Sequence, residues 1–308
     1  MENGYISLIG LGAIGTPLAH LLYKKYQSEF ILLADEQHAK KLREKDISIN
    51  GDKFAPGIVD NRNLLHRPIK VVFVCVKNYS LETTCDFLDE MIDIDTVILP
   101  LQNGVYSYRY MCERFPNNII LEGFAQGPNT KITCSGFEYQ NPGVYHVGTS
   151  CIDYRGQAKA IYDMLRVVGI QCYLDENIRH AVWKKLMLNV AGNALTAITE
   201  MDYSMFKNSI EAQMICRTVM QEFAVVAKSE NINISESDIE DIMKYFMGYK
   251  ESKNTSMLED VLHRRQTENE YIAGYIKRLA DEKGIDAPYI NMLYLLMKIK
   301  QDVYLKRL

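Results

Sequence analysis

YISLIGLGAIG, Tyr5 to Gly15, is the stretch on which the reading of the chain turns. Tyr5–Gly10 is a short apolar run of strand character, and a helical pattern starts at about Ala13 and runs to Tyr26. Between them, Gly10-Leu11-Gly12-Ala13-Ile14-Gly15 has the spacing GxGxxG, placed between a strand and a helix as a dinucleotide-binding loop requires. Gly10 allows the tight turn. Gly12 lets the main chain approach a pyrophosphate, and Gly15 lets the helix pack close to the strand. The helix N-terminus then offers free N–H groups and a partial positive charge to the phosphates.

Outward from this loop, Phe30–Ala34, Val71–Val76 and Thr96–Pro100 are further apolar runs, with helical patterns between them such as Leu81–Ile92. Near-continuous apolar strands alternating with helices indicate a parallel sheet covered on both faces, and right-handed crossovers make it doubly wound. From about Ile119 to His146, short β-like runs are broken by the turn signals Gly127-Pro128-Asn129 and Asn141-Pro142-Gly143. These are expected to be antiparallel strands added at one end of the sheet. A helix over Gln157–Val168 and a strand near Gln171–Leu174 follow. Beyond Asp175 only helical periodicity remains, over Asn177–Ala197, Ile210–Glu230, Glu236–Tyr249, Thr267–Lys283 and Pro288–Lys306. The expected architecture is α/β: a Rossmann-type dinucleotide-binding domain over residues 1–175 with added antiparallel strands, then an all-helical substrate and catalytic domain over 176–308.

Bulk properties narrow the function. The chain has 308 residues, 47% hydrophobic and 24% charged, with a net charge of -4. That composition suits two soluble domains and gives no basic surface for nucleic acid or an anionic membrane. Seven cysteines, at 75, 85, 112, 134, 151, 172 and 216, are spread singly, which fits a reducing cytoplasm better than a disulfide framework or a zinc site. The apolar N-terminal run carries phosphate-loop glycines and lacks a basic leader, so a signal peptide is not expected, and no run has the length of a membrane span. The six histidines show no HxH or HExxH spacing, so no metal is assigned. Cys75, inside an expected strand, reads as core rather than nucleophile.

Asp35 lies 20 residues after Gly15 at the end of the second strand. An acid there accepts hydrogen bonds from the adenosine ribose, which is the NAD pattern, and would repel a 2′-phosphate. At ~4 Å the repulsion spans about 1 to 4 kcal/mol from water to an effective dielectric of 20, a several-fold to ~1000-fold bias against NADP. Lys40, Lys41 and Arg43 would blunt it, and the plainer alternative is a solvated acid at a strand end. Lys77 and Asn103 both follow strands at carboxyl ends, where open α/β sheets bind ligands. Lys77 could meet a cofactor phosphate or a substrate carboxylate, and Asn103 the nicotinamide or the substrate. A surface lysine and an Asn-Gly turn explain them equally well.

In the helical half, Lys185, Asn189 and Asn193 follow one another at i, i+4 and i+8 along an otherwise apolar helix. A lysine and two asparagines are costly to bury there unless partners or a ligand satisfy them. The alternative is a solvent-facing seam. Ser256-Met-Leu-Glu259 fits a capping box, and Glu268 falls in the first turn of an expected helix, where an acid suits the dipole.

Taken together, GLGAIG, the Val76-Lys77 step after VVFVCV, QNG at 102–104, WKKLMLNVAGN at 183–193 and SMLEDVLHRRQTE at 256–268 resemble the ketopantoate reductase family over nearly the whole chain. The resemblance implies NAD(P)H-dependent reduction of 2-dehydropantoate, a small 2-keto acid, to pantoate in pantothenate biosynthesis. Lys185 corresponds to the family's catalytic lysine and Glu268 to its acidic residue in the cleft. Asn189 and Asn193 match its substrate-binding asparagines, and Ser256 its substrate carboxylate contact. Lys77 and Asn103 match cofactor-side positions. One departure stands out: the family commonly has an arginine, suited to NADP, where this chain has Asp35. The alternatives are a same-fold reductase for another 2-keto or 3-keto acid and a non-catalytic dinucleotide sensor. An apolar helical face in the second half could support a homodimer.

Overall fold

The computed structural model describes residues 4–128, 130–133, 136–248 and 253–307. It divides into two compact units, Met1–Asn103 with Ser107–Arg179, and Gly104–Tyr106 with His180–Leu308.

The first unit holds β1 (Tyr5–Ile9), β2 (Phe30–Leu33), β3 (Ser48–Ile49), β4 (Asp52–Lys53), β5 (Gly57–Val59), β6 (Ile69–Val74) and β7 (Val97–Pro100). These are followed by β8 (Ile119–Ile120), β9 (Glu122–Gln126), β10 (Thr130–Thr133), β11 (Gly136–Tyr139), β12 (Val144–Gly148) and β13 (Gln171–Leu174). The main sheet is six-stranded in the order β5-β2-β1-β6-β7-β8, and each of its pairings is parallel. This is the doubly wound order, with the chain reversing direction across the sheet between β1 and β6. Buried apolar side chains such as Leu8, Leu32, Phe73 and Leu99 show why the strands read as continuous apolar runs. Helices α1 (Gly15–Tyr26), α2 (Glu36–Arg43), α3 (Leu81–Met91), α4 (Tyr106–Arg114) and α5 (Arg155–Val167) alternate with the strands.

Antiparallel pairs form in this region as expected, β10 with β11 and β9 with β12, but they do not extend the main sheet. β8, at the start of the ILEGF run, adds a parallel strand to the main sheet. The remaining strands make two small mixed sheets, β10-β11-β3-β4 and β13-β12-β9. In them β11 pairs parallel with β3 and β12 parallel with β13, pairings between distant segments that turn signals do not report. The β3–β4 hairpin also escaped the reading, although Asn50-Gly51 is its signature: both residues have positive φ, 53° and 81°, as the two-residue turn demands. Asn50 extends that ladder with its side chain, donating to Tyr139 O and accepting from Tyr139 N. Asn129 and Cys134, within the segments read as β-like, lie outside the described residues.

Among the described residues, the elements after β13 are all helical: α6 (Ile178–Leu188), α7 (Ala194–Thr199), α8 (Tyr203–Asn208), α9 (Ile210–Ser229), α10 (Glu236–Gly248), α11 (Ser256–Leu262), α12 (Ala273–Lys283) and α13 (Pro288–Tyr304). Their core is aromatic-rich, with Trp183 against Phe223 and Phe246 against Phe206 and Tyr203. The single helix expected over 177–197 is interrupted by a π-helical turn, Asn189–Asn193. The helix expected from Thr267 begins only at Ala273, after a 3₁₀ turn, because Ile272 has the non-helical φ −105°, ψ −88°. Helix α8 was not anticipated; its start is set by Asp202, whose carboxylate accepts from Met205 N. Tyr249, the expected end of α10, lies outside the described residues.

Candidate active site

The three glycines of the loop do three different things. Gly10 has φ +101°, and a Cβ there would lie 2.6 Å from Val76 N, so both its conformation and its packing require glycine. A Cβ on Gly15 would lie 1.9 Å from Gly10 O, which makes the close approach of α1 to β1 possible only without a side chain. Gly12 meets neither constraint: it is exposed, and a Cβ there has nothing within 4 Å. The protein's own packing therefore gives no reason for glycine at 12, whereas a pyrophosphate drawn against the main chain does. The adjoining N-terminus of α1 has no side-chain cap and no acid in its first turn, so its donors and its dipole are unopposed by its own side chains. Thr130 and Tyr145 hold the loop by donating to Ala13 O and Ile14 O. The first unit thus has the donors, charge and space for a dinucleotide phosphate group. Gly10, Leu11, Gly12, Ala13, Ile14 and Gly15 would hold it.

Asp35 follows β2 and caps α2, its Oδ1 accepting from His38 N at 2.9 Å and its Oδ2 paired with His38 Nδ1 at 2.7 Å. Partial burial pushes its carboxyl up, but the bonds from His38 more than offset this and hold it below the usual range. The acid is thus kept ionised at the end of β2, with free lone pairs for ribose hydroxyls. Of the three nearby cations, Arg43 is engaged elsewhere, bonding Asp60 at 2.6 Å and Ile58 O at 2.9 Å. Lys40 and Lys41 are exposed on α2. Lys77 starts the 3₁₀ turn after β6, and Asn103 follows β7 with its carbonyl held by Asn78 Nδ2 at 3.0 Å. Both are half-buried at the carboxyl edge of the sheet. Cys75 lies just past the end of β6 rather than within it, and burial pushes its thiol far above the ordinary value.

In the second unit the polar stripe is real but its geometry is not that of a straight α-helix. Four residues of α-helix advance about 400°, a drift of ~40° that would carry Asn193 well away from Lys185. A π turn closes i→i+5 with roughly 4.4 residues per turn, so four residues fall ~30° short of a full circle and reverse the drift. Asn193 Nδ2 accordingly donates to Asn189 Oδ1 at 3.3 Å, one turn above Lys185. Both asparagines are buried, and Asn189 Nδ2 has no hydrogen-bond partner. Gly192 lets the Phe246 ring pack directly against this turn, since a Cβ there would lie 2.3 Å from it.

Ser256 is not the helix cap. Thr255 caps α11, accepting from Leu258 N, and Ser256 is the first helical residue, exposed, with its Oγ 3.5 Å from Asn193 Nδ2. A buried hydroxyl pair, Thr196 with Thr255 at 2.9 Å, ties α7 to α11 and sets Ser256 beside the stripe. Glu268, buried, precedes a 3₁₀ turn rather than sitting in an α-helix. Its neighbours fix it: Thr267 N and Oγ1 donate to Gln301 Oε1, and Asn269 Nδ2 donates to Tyr294 O, so α13 clamps the segment from both sides. Thr196, Thr255 and Gln301 had no visible signal in the sequence, because each acts through a residue 34 or 59 positions away.

Lys185 is half-buried, and that burial pushes its ammonium down to about 8, against an opposing attraction from Glu268. Lys185, Asn189, Asn193, Ser256 and Glu268 thus combine a proton donor near neutrality, an acid that acts on it and a row of amide and hydroxyl donors. Among the described residues, no group of three or more His, Cys, Asp or Glu is placed to hold a metal ion. No helix among them is long and apolar enough to cross a membrane.

Comparison with known proteins gives a consistent picture. Residues 6–150 match the family model for "Ketopantoate reductase PanE/ApbA", and residues 177–301 its C-terminal counterpart. The chain is 24% identical to a 2-dehydropantoate 2-reductase of Halobacterium salinarum, over 95% of this chain and 97% of that one. It is 25% identical to one of Vibrio cholerae, over 98% and 99%. Among solved structures, a D-mandelate dehydrogenase with NADH and anilino(oxo)acetate superposes with a TM-score of 0.86 at 21% identity, covering 97% of this chain and 99% of that one. A 2-dehydropantoate 2-reductase from Methylococcus capsulatus gives 0.84 at 23%, with 97% of each chain covered. A dimeric ketopantoate reductase from Staphylococcus aureus gives 0.76 at 22%, over 97% and 99%.

The two glycine roles separate in a paired experiment. Gly15→Ala is expected to lower stability by about 1–3 kcal/mol in chemical denaturation, as overpacking does. Gly12→Val is expected to leave the unfolding midpoint unchanged and to weaken NADH binding more than ten-fold by fluorescence titration. Equal binding by Gly12→Val and the parent protein would remove the loop from the cofactor site.

Proposed function

The chain belongs to the ketopantoate reductase family, and from that membership we propose that it reduces 2-dehydropantoate to pantoate, with Lys185 as the general acid. The protein is an NAD(P)-dependent oxidoreductase of that type. The observation that carries the reading is Lys185, an ammonium lowered to about 8 on an apolar helix and acted on by Glu268.

The glycine loop with Asp35, Lys77 and Asn103 would hold the dinucleotide, which would supply the hydride when bound. As the keto carbon is reduced, negative charge builds on its oxygen. Lys185 Nζ stabilises that charge and delivers the proton, then recovers one from solvent. An acid with a pKa near the working pH suits the task, since it is both protonated and willing to release. Asn189 Nδ2, Asn193 and Ser256 Oγ hold the carboxylate and hydroxyl of the substrate. Glu268 keeps the lysine from losing its proton too early. The closest second reading is another 2-keto acid, favoured by the high structural similarity to the D-mandelate dehydrogenase, whose aromatic substrate class would place the same keto-acid unit on the same residues. The reading places the protein in the cytoplasm, and the dimeric S. aureus relative supports a homodimer.

Three measurements check this proposal. Lys185→Ala is expected to cut turnover on ketopantoate by ~10²–10⁴ with little change in NADH affinity; normal turnover would exclude Lys185. Reduction needs the ammonium form, so kcat should be full below pH 8 and fall as pH rises through about 8. Glu268→Gln removes the interaction that raises this pKa and should move that limb to lower pH. In the cofactor comparison, Asp35, about half exposed, acts near the watery end of the dielectric range. NADH should therefore outperform NADPH in kcat/KM by several-fold to about ten-fold. Asp35→Ala should erase the difference, and a preference for NADPH in the parent protein would overturn the role of Asp35.

A further inference from the structure

At the amino-terminal edge of the main sheet, opposite the edge that carries the glycine loop, the starts of β6, β7 and β8 and one face of α5 border a cavity of about 520 Å³. That lies within the ~300–1,000 Å³ of small-molecule sites. The turns beside it are pinned. Thr96 Oγ1 donates to Ile69 O at 2.8 Å, and Asn118 Nδ2 donates to Asp93 O at 2.8 Å and Thr96 O at 3.1 Å. The polar side chains that line the cavity are not engaged in this way. Gln157 Oε1 is buried with no hydrogen-bond partner. Among the described residues, the side chains of Lys70, Asp95 and Asn117 have none either. On α5, Ala160 and Ile161 share a face with Gln157, at i+3 and i+4, and the alanine leaves room that a larger side chain would fill.

This set of groups defines a ligand class. Lys70 calls for an anion and Asp95 for a cation, and the two share the cavity without pairing with each other. A buried acceptor without a donor is costly, so Gln157 Oε1 calls for an N–H or O–H. Ile94, Val97, Ile119 and Ile161 supply an aliphatic wall. A nucleotide would meet a lining with one positive and one negative charge and no aromatic ring to stack on. A simple carboxylic acid would satisfy Lys70 but leave Asp95 unpaired beside it, and a simple amine the reverse. A purely apolar ligand would strip water from four polar groups and give nothing back. We propose that this cavity binds a free α-amino acid with an aliphatic side chain. Its carboxylate meets Lys70 and Asn117, its ammonium meets Asp95 and Gln157 Oε1, and its side chain lies on the isoleucines. The site belongs to the first unit alone and stands independently of the reaction proposed above. A ligand there ties α5 to the starts of three strands of the main sheet.

The experiment is calorimetric titration of the full chain with L-leucine, paired with thermal unfolding. Saturable binding at one site per chain is expected, with a Kd of about 1 mM or tighter and a raised unfolding midpoint. Glycine, 4-methylpentanoate and isopentylamine, which lack the side chain, the ammonium and the carboxylate in turn, should each bind at least ~10-fold more weakly. Lys70→Met and Asp95→Asn should weaken L-leucine by a similar factor with NADH affinity unchanged. Asp95 is exposed and makes no internal bond, so its variant keeps the test open should Lys70→Met fail to fold. Lys185→Ala should bind L-leucine as the parent protein does. No saturation by about 10 mM L-leucine would leave water as the only occupant and overturn the site. Binding that persists in Asp95→Asn, or that disappears in Lys185→Ala, would place the amino acid elsewhere and overturn it equally. Equal affinity for 4-methylpentanoate would overturn the ligand class.

Discussion

Burial of one ammonium group sets the electrostatics of the polar stripe in the second unit. Leaving water disfavours the charged form of Lys185, and the opposite charge of Glu268 favours it. The first effect is the larger, so the ammonium settles at about 8 rather than above 10. A lysine fully exposed on this helix would hold its proton too tightly to be a useful acid near neutrality. One buried without Glu268 would lose its proton sooner and offer no stabilisation to a developing alkoxide. The rest of the second unit maintains this balance. The π turn aligns the asparagines with the lysine, the Thr196–Thr255 pair brings Ser256 alongside, and Gln301 with the Tyr294 carbonyl fixes the segment bearing Glu268.

The first unit solves a different problem with main-chain atoms. Gly10 and Gly15 are demanded by the fold, since any Cβ at either position collides with backbone. Gly12 is demanded by nothing in the chain itself. That contrast separates the glycines the fold requires from the one it does not within a single six-residue motif, a distinction the GxGxxG spacing cannot make. Asp35 shows a similar doubling of roles. It caps α2 through His38, and the same bonds keep its carboxylate ionised, so a residue that fixes local structure also leaves a negative charge at the end of β2.

Much of this was legible in the residues. The parallel sheet announced itself because strands buried on both faces must be apolar throughout, and the stripe from Lys185 to Asn193 stood out because polar groups on an oily helix are expensive. What escaped was set by distant pairing or by competition between local signals. In the small mixed sheets, the β3–β11 pairing joins partners far apart in the chain, as Asn50 and Tyr139 are, 89 residues apart, and the β12–β13 pairing spans the whole of α5. Thr255 and Ser256 are both good caps, and the capping-box spacing favoured Ser256. The buried bond between Thr255 and Thr196 decided for Thr255. The π turn left no periodic trace, because five residues are too few to shift a pattern that extends over twenty.

Helix α13 joins the two themes. From its inner side it supplies Gln301 Oε1 and Tyr294 O to the residues flanking Glu268, so its position sets the acid that tunes Lys185. Its N-terminus is held in turn by Glu222 of α9, whose two carboxylate oxygens accept from Tyr289 N and Ile290 N. An acid at a helix N-terminus stabilises it through both the bonds and the dipole. The polar supports on the inner side of α13 thus hold in place the Glu268 segment, whose charge opposes loss of the Lys185 proton.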